Sequence, residues 1–441
     1  MKESISRVGS PEHVAWIRRN AAELLSRFFF LEEAITQSCA AWIPSLTRLE
    51  SKAALARIAW QCAINANALR ERVFELKYPS RLLHVDRGEP VVNLFRATIN
   101  APSGIALADA LRTVVIPSLA EAYRTYLAGS DDVADGPTQR FLDQAIRDKD
   151  EQCEALKSVA TNEPTPNSDD RERSQEWVTQ FARLLNASAL TSLTDSGAEM
   201  SVPEVVAPGT RFVLAQEPGR DDRYWICDFY WPDIVDPSYP YGEGAALQLR
   251  SAISHINEVW AVETAAAILP GLAEKLGWEF VHEAARWLYD EARHMTMGQR
   301  RLETWQFDRA EIPLGRYIYQ ACRDQDLIYR IGMLGYFETK NIGKKQERAR
   351  AFERMGDGMS QVHMDFDWAD ETLHAEYGRR WLKRLLRSRE LSEDRWAEVL
   401  ETCEQLVSDR IAEATPAQKL EIRQVADRLV ARSEQLLTHH G

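Results

Sequence analysis

The chain has 441 residues, of which 45% are hydrophobic and 27% charged, and a formal net charge of -13. This length allows two or three domains with cores of their own and disfavours a single small binding module. The acidic balance disfavours a dedicated nucleic-acid binder, which draws its affinity from clustered lysine and arginine. No apolar run is long enough to predict a membrane span.

The start, MKESISRVGSPEH, lacks the basic end and apolar stretch of a secretory signal, and none of the six cysteines forms a CxxC pair. A reducing cytoplasm without a disulfide framework is therefore expected. From Pro11 to about Lys157 apolar residues recur every three or four positions, with breaks at Tyr78-Pro79-Ser80, Asn100 to Gly104 and Gly129 to Pro137. That pattern predicts a helical domain over 1–158. A linker follows over 159–245, polar at first and then rich in Ser, Thr and Pro, with one helix from Gln175 to Leu185. Within it, Arg211 to Gln216 and Tyr224 to Tyr230 have strand character and flank Pro218-Gly219-Arg220-Asp221, which predicts a small β-hairpin. Its aromatic residues, Tyr224, Trp225, Phe229, Tyr230 and Trp231, are expected to pack, with lining of a substrate entrance as the alternative.

Helical periodicity returns at Gly244, and helices are predicted near 246–268, 278–304, 324–354, 359–388, 392–411 and 416–437. This divides the remainder into a bundle over 246–390 and carboxyl-terminal helices over 391–441. Two basic runs, Lys344-Lys345 with Arg348 and Arg350, and Arg379-Arg380 with Lys383, Arg384 and Arg387, recur at helical spacing beside apolar partners. Both are expected to be solvated helix faces.

Two segments share one pattern: Asp290-Glu291-Ala292-Arg293-His294 and Asp370-Glu371-Thr372-Leu373-His374. A glutamate and a histidine three positions apart on a helix project from one face, so both reach a single ion. One such segment is weak evidence; the repeat, with aspartate before each glutamate, is much stronger. A site for two metal ions needs two further glutamates from the other helices. Glu263 lies 14 residues before Gly277 and Glu291 lies 14 after it, which gives matched arms of about 21 Å across a turn. In the second pair Glu338 lies 18 residues before Gly356 and Glu371 lies 13 after Gly358. Glu258 is the alternative to Glu263, but five positions correspond to about 140° around a helix, so only one points inward. Glu263 is preferred because it sits among small apolar residues, where a carboxylate is costly unless partnered. The expected ligands are Glu263, Glu291, His294, Glu338, Glu371 and His374. Asp290 is expected near His374 and Asp370 near His294, each accepting the imidazole N–H that is not used for metal.

The order E, DEXRH, E, DEXXH over about Gln248 to Arg387 resembles the ferritin-like di-iron carboxylate superfamily. Asp290 to His294 looks like the motif of its oxygen-activating members, such as bacterial monooxygenases and ribonucleotide reductase small subunits. The segment is also similar to a bacterial family of ferritin-like domain proteins and, more distantly, to the tRNA-hydroxylating branch. The resemblance implies a mainly α fold with a ferritin-like four-helix bundle, two iron ions, and dioxygen as co-substrate. Manganese or an iron–manganese pair suits the same ligands. The amino-terminal domain is either a degenerate copy, with Cys62 under Glu291 and Asn65 under His294, or an accidental helical similarity. No metal is expected there, only a role in packing, homodimer formation or covering the site.

The leading expectation is a cytoplasmic di-iron oxygenase that hydroxylates or N-oxidises a small-molecule substrate with an external electron donor. Neither nucleic acid nor membrane is expected as a partner. Tyr289 and Tyr336 are candidates for lining the pocket. A ferroxidase or peroxide-removing enzyme, and a non-catalytic protein stabilised by metal, are the alternatives.

Overall fold

Recurrence of apolar residues at helical spacing yields a mainly helical chain in the computed structural model, which describes residues 16–164, 167–185, 187–193 and 211–437. The predicted start of the first helical stretch at Pro11 and the Ser-, Thr- and Pro-rich linker over 194–210 lie outside the described residues. Contacts divide the chain into two units, one of residues up to Cys39 with Ile58–Val213, the other of Ala40–Arg57 with residues from Leu214 onward. The tip of the first helical hairpin thus belongs with the carboxyl-terminal helices, an arrangement that sequence boundaries at 158 and 245 do not anticipate.

The first unit takes in most of α1 (Arg18–Trp42) and α2 (Leu49–Lys77), then α3 (Glu89–Arg96), α4 (Gly104–Ala110), α5 (Ile116–Gly129), α6 (Gly136–Asn162) and α7 (Ser168–Leu184). Its core contains a charged cluster around Glu32. Glu32 of α1 accepts hydrogen bonds from Lys149 Nζ of α6 and Tyr123 Oη of α5, both at 2.6 Å, and Lys149 also reaches Cys62 Sγ at 3.4 Å. Glu32 and Lys149 are fully buried, where an unpaired charge would cost several kcal/mol, about 3–5 on loss of one partner. Cys62, aligned with Glu291 in the internal comparison, therefore sits beside an ammonium group.

The second unit carries α8 (Pro232–Val235), α9 (Gly244–Asn257), α10 (Val259–Leu276), α11 (Trp278–Thr304), α12 (Tyr317–Ala321), α13 (Leu327–Met355), α14 (Gly358–Ser388), α15 (Trp396–Ala412) and α16 (Pro416–Leu437). Two helical hairpins form its centre. Gly277, at φ +82°, turns α10 into α11, and Gly356, at φ +72°, ends α13 in the left-handed conformation that glycine adopts without a Cβ penalty. Asp357 then caps α14 by accepting from Ser360 N at 3.0 Å. The α13–α14 pair packs on α10 and α11, α9 packs on α11, and α15 and α16 cover α13 and α9.

Two expectations are corrected. The single helix predicted over 246–268 is broken at Glu258, whose N–H bonds to His255 O at 3.0 Å, so that α9 and α10 meet there. The predicted β-hairpin is absent among the described residues. A two-residue strand, β1 (Trp225–Ile226), pairs in parallel with β2 (Pro313–Leu314). The intended turn is tied elsewhere: Gly219 N bonds to Pro44 O at 2.8 Å, and a Cβ on Gly219 would lie 2.2 Å from Leu46 O. The aromatic residues mostly pack, with Tyr224, Phe229, Tyr230 and Trp231 all buried.

Candidate metal centre

The i, i+3 spacing in α11 and α14 puts Glu291 with His294, and Glu371 with His374, on the inward faces of their helices, and all four are buried. Glu338 on α13 is also buried and joins Glu291, Glu371 and His374 in a group whose ligand atoms lie within 4.8 Å of one another. Around the other histidine, Glu258 and Glu291 form one such group with His294, and Asp367 and Glu371 form another. Glu291 and Glu371 are common to the surroundings of both histidines.

The distances suit cations between these atoms. His374 Nδ1 lies 3.2 Å from Glu291 Oε1 and 3.7 Å from Glu338 Oε1. His294 Nδ1 lies 3.4 Å from Glu258 Oε2 and from Asp367 Oδ1, and 3.7 Å from Glu291 Oε2 and Glu371 Oε1. Ligands about 2.1 Å from an octahedral ion lie about 3 Å from their neighbours and about 4.2 Å across it. Three of these buried atoms, His294 Nδ1, His374 Nδ1 and Glu258 Oε2, have no hydrogen-bond partner. Buried polar groups are ordinarily satisfied, so an imidazole nitrogen without a hydrogen-bond partner beside carboxylate oxygens fits a metal ligand.

The opposite edge of each imidazole is tied down. His294 Nε2 is 3.3 Å from Asp370 Oδ2 and His374 Nε2 is 3.4 Å from Asp290 Oδ2. Arg293 Nη1 bridges the two aspartates, donating at 2.6 Å to Asp290 and 2.9 Å to Asp370, and Arg286 Nε donates at 2.6 Å to Asp290. Burial by itself raises the Asp290 pKa, but His374 and Arg286 beside it hold it below the ordinary value. This keeps Asp290 an acceptor, and the contacts at Nε2 turn Nδ1 of each ring toward the carboxylates. Trp287 Nε1 donates at 3.1 Å to Glu291 Oε1 and fixes that carboxylate from the side.

Glu263 does not join these groups, and the preference for it over Glu258 is corrected. Fully buried, it forms ion pairs with Lys52 Nζ at 2.8 Å and with Arg220. The break at Glu258 admits a carboxylate to the cluster, whereas Glu263 faces cations brought from remote segments. Nothing in the local sequence distinguishes a carboxylate paired with metal from one paired with lysine.

Sequence reasoning also missed Asp367 and Lys345. Asp367 is buried, and its place four before Glu371 and seven before His374 on the same helical face was a readable signal. Lys345 is buried rather than solvated, with Nζ 2.6 Å from Asp367 Oδ1 and 3.2 Å from Glu371 Oε2. Arg379, Arg380, Arg384 and Arg387 are exposed, as a solvated face requires. His255 lies beyond the shared carboxylates, between Asp367 at 3.1 Å and Arg301 at 2.6 Å, and burial pushes its pKa down to about 3.

Burial followed by the neighbouring Glu371 pushes Glu338 well above the usual carboxylate range, and burial lifts Glu258 to about 7. Burial is the main cause at both, and at Glu338 the like charge of Glu371 adds to it, a charge that a divalent cation would neutralise. A cavity of about 320 Å³ reaches this cluster, with Glu258, Glu291, Glu338 and Glu371 in its wall. Tyr230, Trp260, Tyr317 and Phe337 supply aromatic surface. Tyr289 and Tyr336 are not part of its lining; Tyr336 Oη instead donates to Glu404 at 2.8 Å.

No helix among the described residues is long and apolar enough to cross a membrane. No curated protein and no solved structure matches the chain. A family model described as protein of unknown function, DUF455, matches residues 178–425, more than half of the chain and all the residues of this centre, and the chain belongs to that family.

Proposed function

We propose that the second unit is a ferritin-like bundle that binds two iron ions and uses dioxygen to hydroxylate or N-oxidise a small organic molecule. The observation that carries this reading is the pair of buried, partnerless imidazole nitrogens, each facing carboxylates common to both. Two ferrous ions held there would supply the electrons and open coordination positions needed for dioxygen chemistry. Glu291 and Glu371, with His374 and Glu338 on one side and His294 and Glu258 on the other, would hold these ions. Asp290 and Asp370 hold the two rings in one tautomer and orientation, and Trp287 restrains Glu291. Lys345 holds a proton 3.2 Å from Glu371 in the cavity wall. The surrounding apolar helices limit water at the reacting end.

The cavity favours an organic substrate over ferroxidase or peroxide removal, because about 320 Å³ is within the range of small-molecule sites and exceeds what a channel for ions or peroxide requires. The test is metal analysis of the protein purified without added metal, then anaerobic ferrous loading and exposure to oxygen. About two metal ions per chain are expected, with oxygen uptake and a change in visible absorption. Glu291→Ala combined with His374→Ala should abolish both. Absence of metal in the wild-type chain, or stoichiometry unaffected by this double substitution, would overturn the proposal. Two ions bound with no oxygen uptake would instead make the metal structural.

A further inference from the structure

The cavity has a second end that the metal ligands do not explain. Apart from the four glutamates of the cluster, Asp233 is the only acid in its lining, whereas Arg250, Lys340, Lys344 and Arg348 are all there. This cationic concentration stands in a chain whose formal net charge is -13. Two of the bases are partly accounted for: Lys340 pairs with Glu404 at 3.3 Å, and Arg250 Nη2 pairs with Asp233 Oδ1 at 3.0 Å.

Arg250 nevertheless keeps a vacancy. It is 6% exposed, and its Nη1 has no hydrogen-bond partner, nor does the buried hydroxyl of Tyr241 in the same lining. Leaving a charged donor buried and unsatisfied costs more than leaving a neutral one, so these atoms call for an acceptor. The Arg250 guanidinium carbon lies 4.8 Å from the Tyr241 ring centroid and that of Arg348 lies 4.5 Å from it, which gathers both cations around one aromatic ring. Lys344 is exposed and forms no ion pair among the described residues.

We infer that this end is an anion subsite, and that the molecule processed at the metal centre is a carboxylate with an aromatic or compact apolar body. The subsite anchors the carboxylate through Arg250 Nη1, Tyr241 Oη and the cations at Lys344 and Arg348. The body then lies along Tyr317, Phe337 and Trp260, with its far end toward Glu258 and Glu338. A carboxylate is planar and accepts from two donors at once, which matches a guanidinium and a phenol side by side. With two divalent ions offsetting the four glutamates, the one remaining acid of the lining, Asp233, is already paired with Arg250, and in this respect the inference rests on the proposed metal centre.

The test uses the full chain loaded with manganese(II) and calorimetric titration of three probes of one shape: benzoate, neutral benzamide and cationic benzylamine. Metal content is measured on the same samples. Benzoate is expected to bind at least about tenfold more tightly than the other two. Lys344→Gln combined with Arg348→Gln should remove that preference without changing metal content. Equal affinity for the three probes would overturn the subsite, as would a preference that the double substitution leaves undiminished. Two ions per chain without benzoate preference leaves the centre standing and removes the subsite. No metal but a preference lost in the double variant does the reverse.

Discussion

Glu258 and Glu263 show how much depends on a single residue's direction. Five positions separate them, one facing His294 and grouped with Glu291, the other facing Lys52 and Arg220. Substitutions should separate these roles. Glu258→Gln is expected to reduce bound metal from about two ions per chain toward one, with little change in the stability of the metal-free protein. Glu263→Gln should leave the metal content intact but cost about 3–5 kcal/mol, because it strands two buried cations. Metal analysis and denaturant titration on the two variants check both outcomes. Lys345 supports a third expectation. Its ammonium partly neutralises Asp367 and Glu371, so Lys345→Met should destabilise the metal-free protein by about 3 kcal/mol or more. Metal then restores the missing positive charge. The rise in Tm on adding manganese(II) should therefore be larger in the variant than in the wild type.

Close approach between helices sets the spacing of the ligands. Gly298 on α11 leaves no room for a side chain: a Cβ there would lie 2.3 Å from Ile256 N and 2.6 Å from Ala252 O of α9. Since Ile256 precedes Glu258 by two residues, pushing α9 away would displace that carboxylate from His294. Gly378 on α14 faces Gly335 on α13 with less constraint, because its Cβ would lie 3.0 Å from Gly335 Cα. Gly298→Ala should therefore cost about 1–3 kcal/mol and lower metal content, and Gly378→Ala should cost less. Denaturation midpoints with metal analysis give the comparison. A glycine within a helix costs about 1 kcal/mol relative to alanine, so Gly298 hints in the sequence at a packing demand without naming the partner helix.

For the molecule as a whole, ions that bind only the folded chain raise its stability by mass action, about 2.7 kcal/mol at a hundred times Kd. The Tm should accordingly rise with manganese(II) concentration and fall on chelation. Acid acts in the opposite direction through His363, whose pKa is pushed down from 6.5 to about 4 by burial and then by Arg301. The folded chain binds fewer protons there than the unfolded chain, so this contribution is full above about pH 6.5 and lost as pH falls toward 4. His363→Gln should flatten that decline, measured as the denaturation midpoint at pH 7 and pH 4.5.

Sequence alone determined the helical character of the chain, the turns at Gly277 and Gly356, and five members of the cluster. Those features are local: apolar periodicity, glycine at a left-handed cap, and glutamate three positions before histidine are all written within one or two helical turns. Choosing Glu258 over Glu263, burying Lys345 and recruiting Asp367 were decided by tertiary structure, although the position of Asp367 on the ligand face was readable. The break between α9 and α10, and the Lys52 and Arg220 side chains that claim Glu263, come from segments distant in the chain. The same holds for the strand that replaces the expected hairpin, since Trp225–Ile226 finds its partner at Pro313–Leu314. A carboxylate's partner is fixed by which cation reaches it in the folded chain, and that is a property of packing between segments.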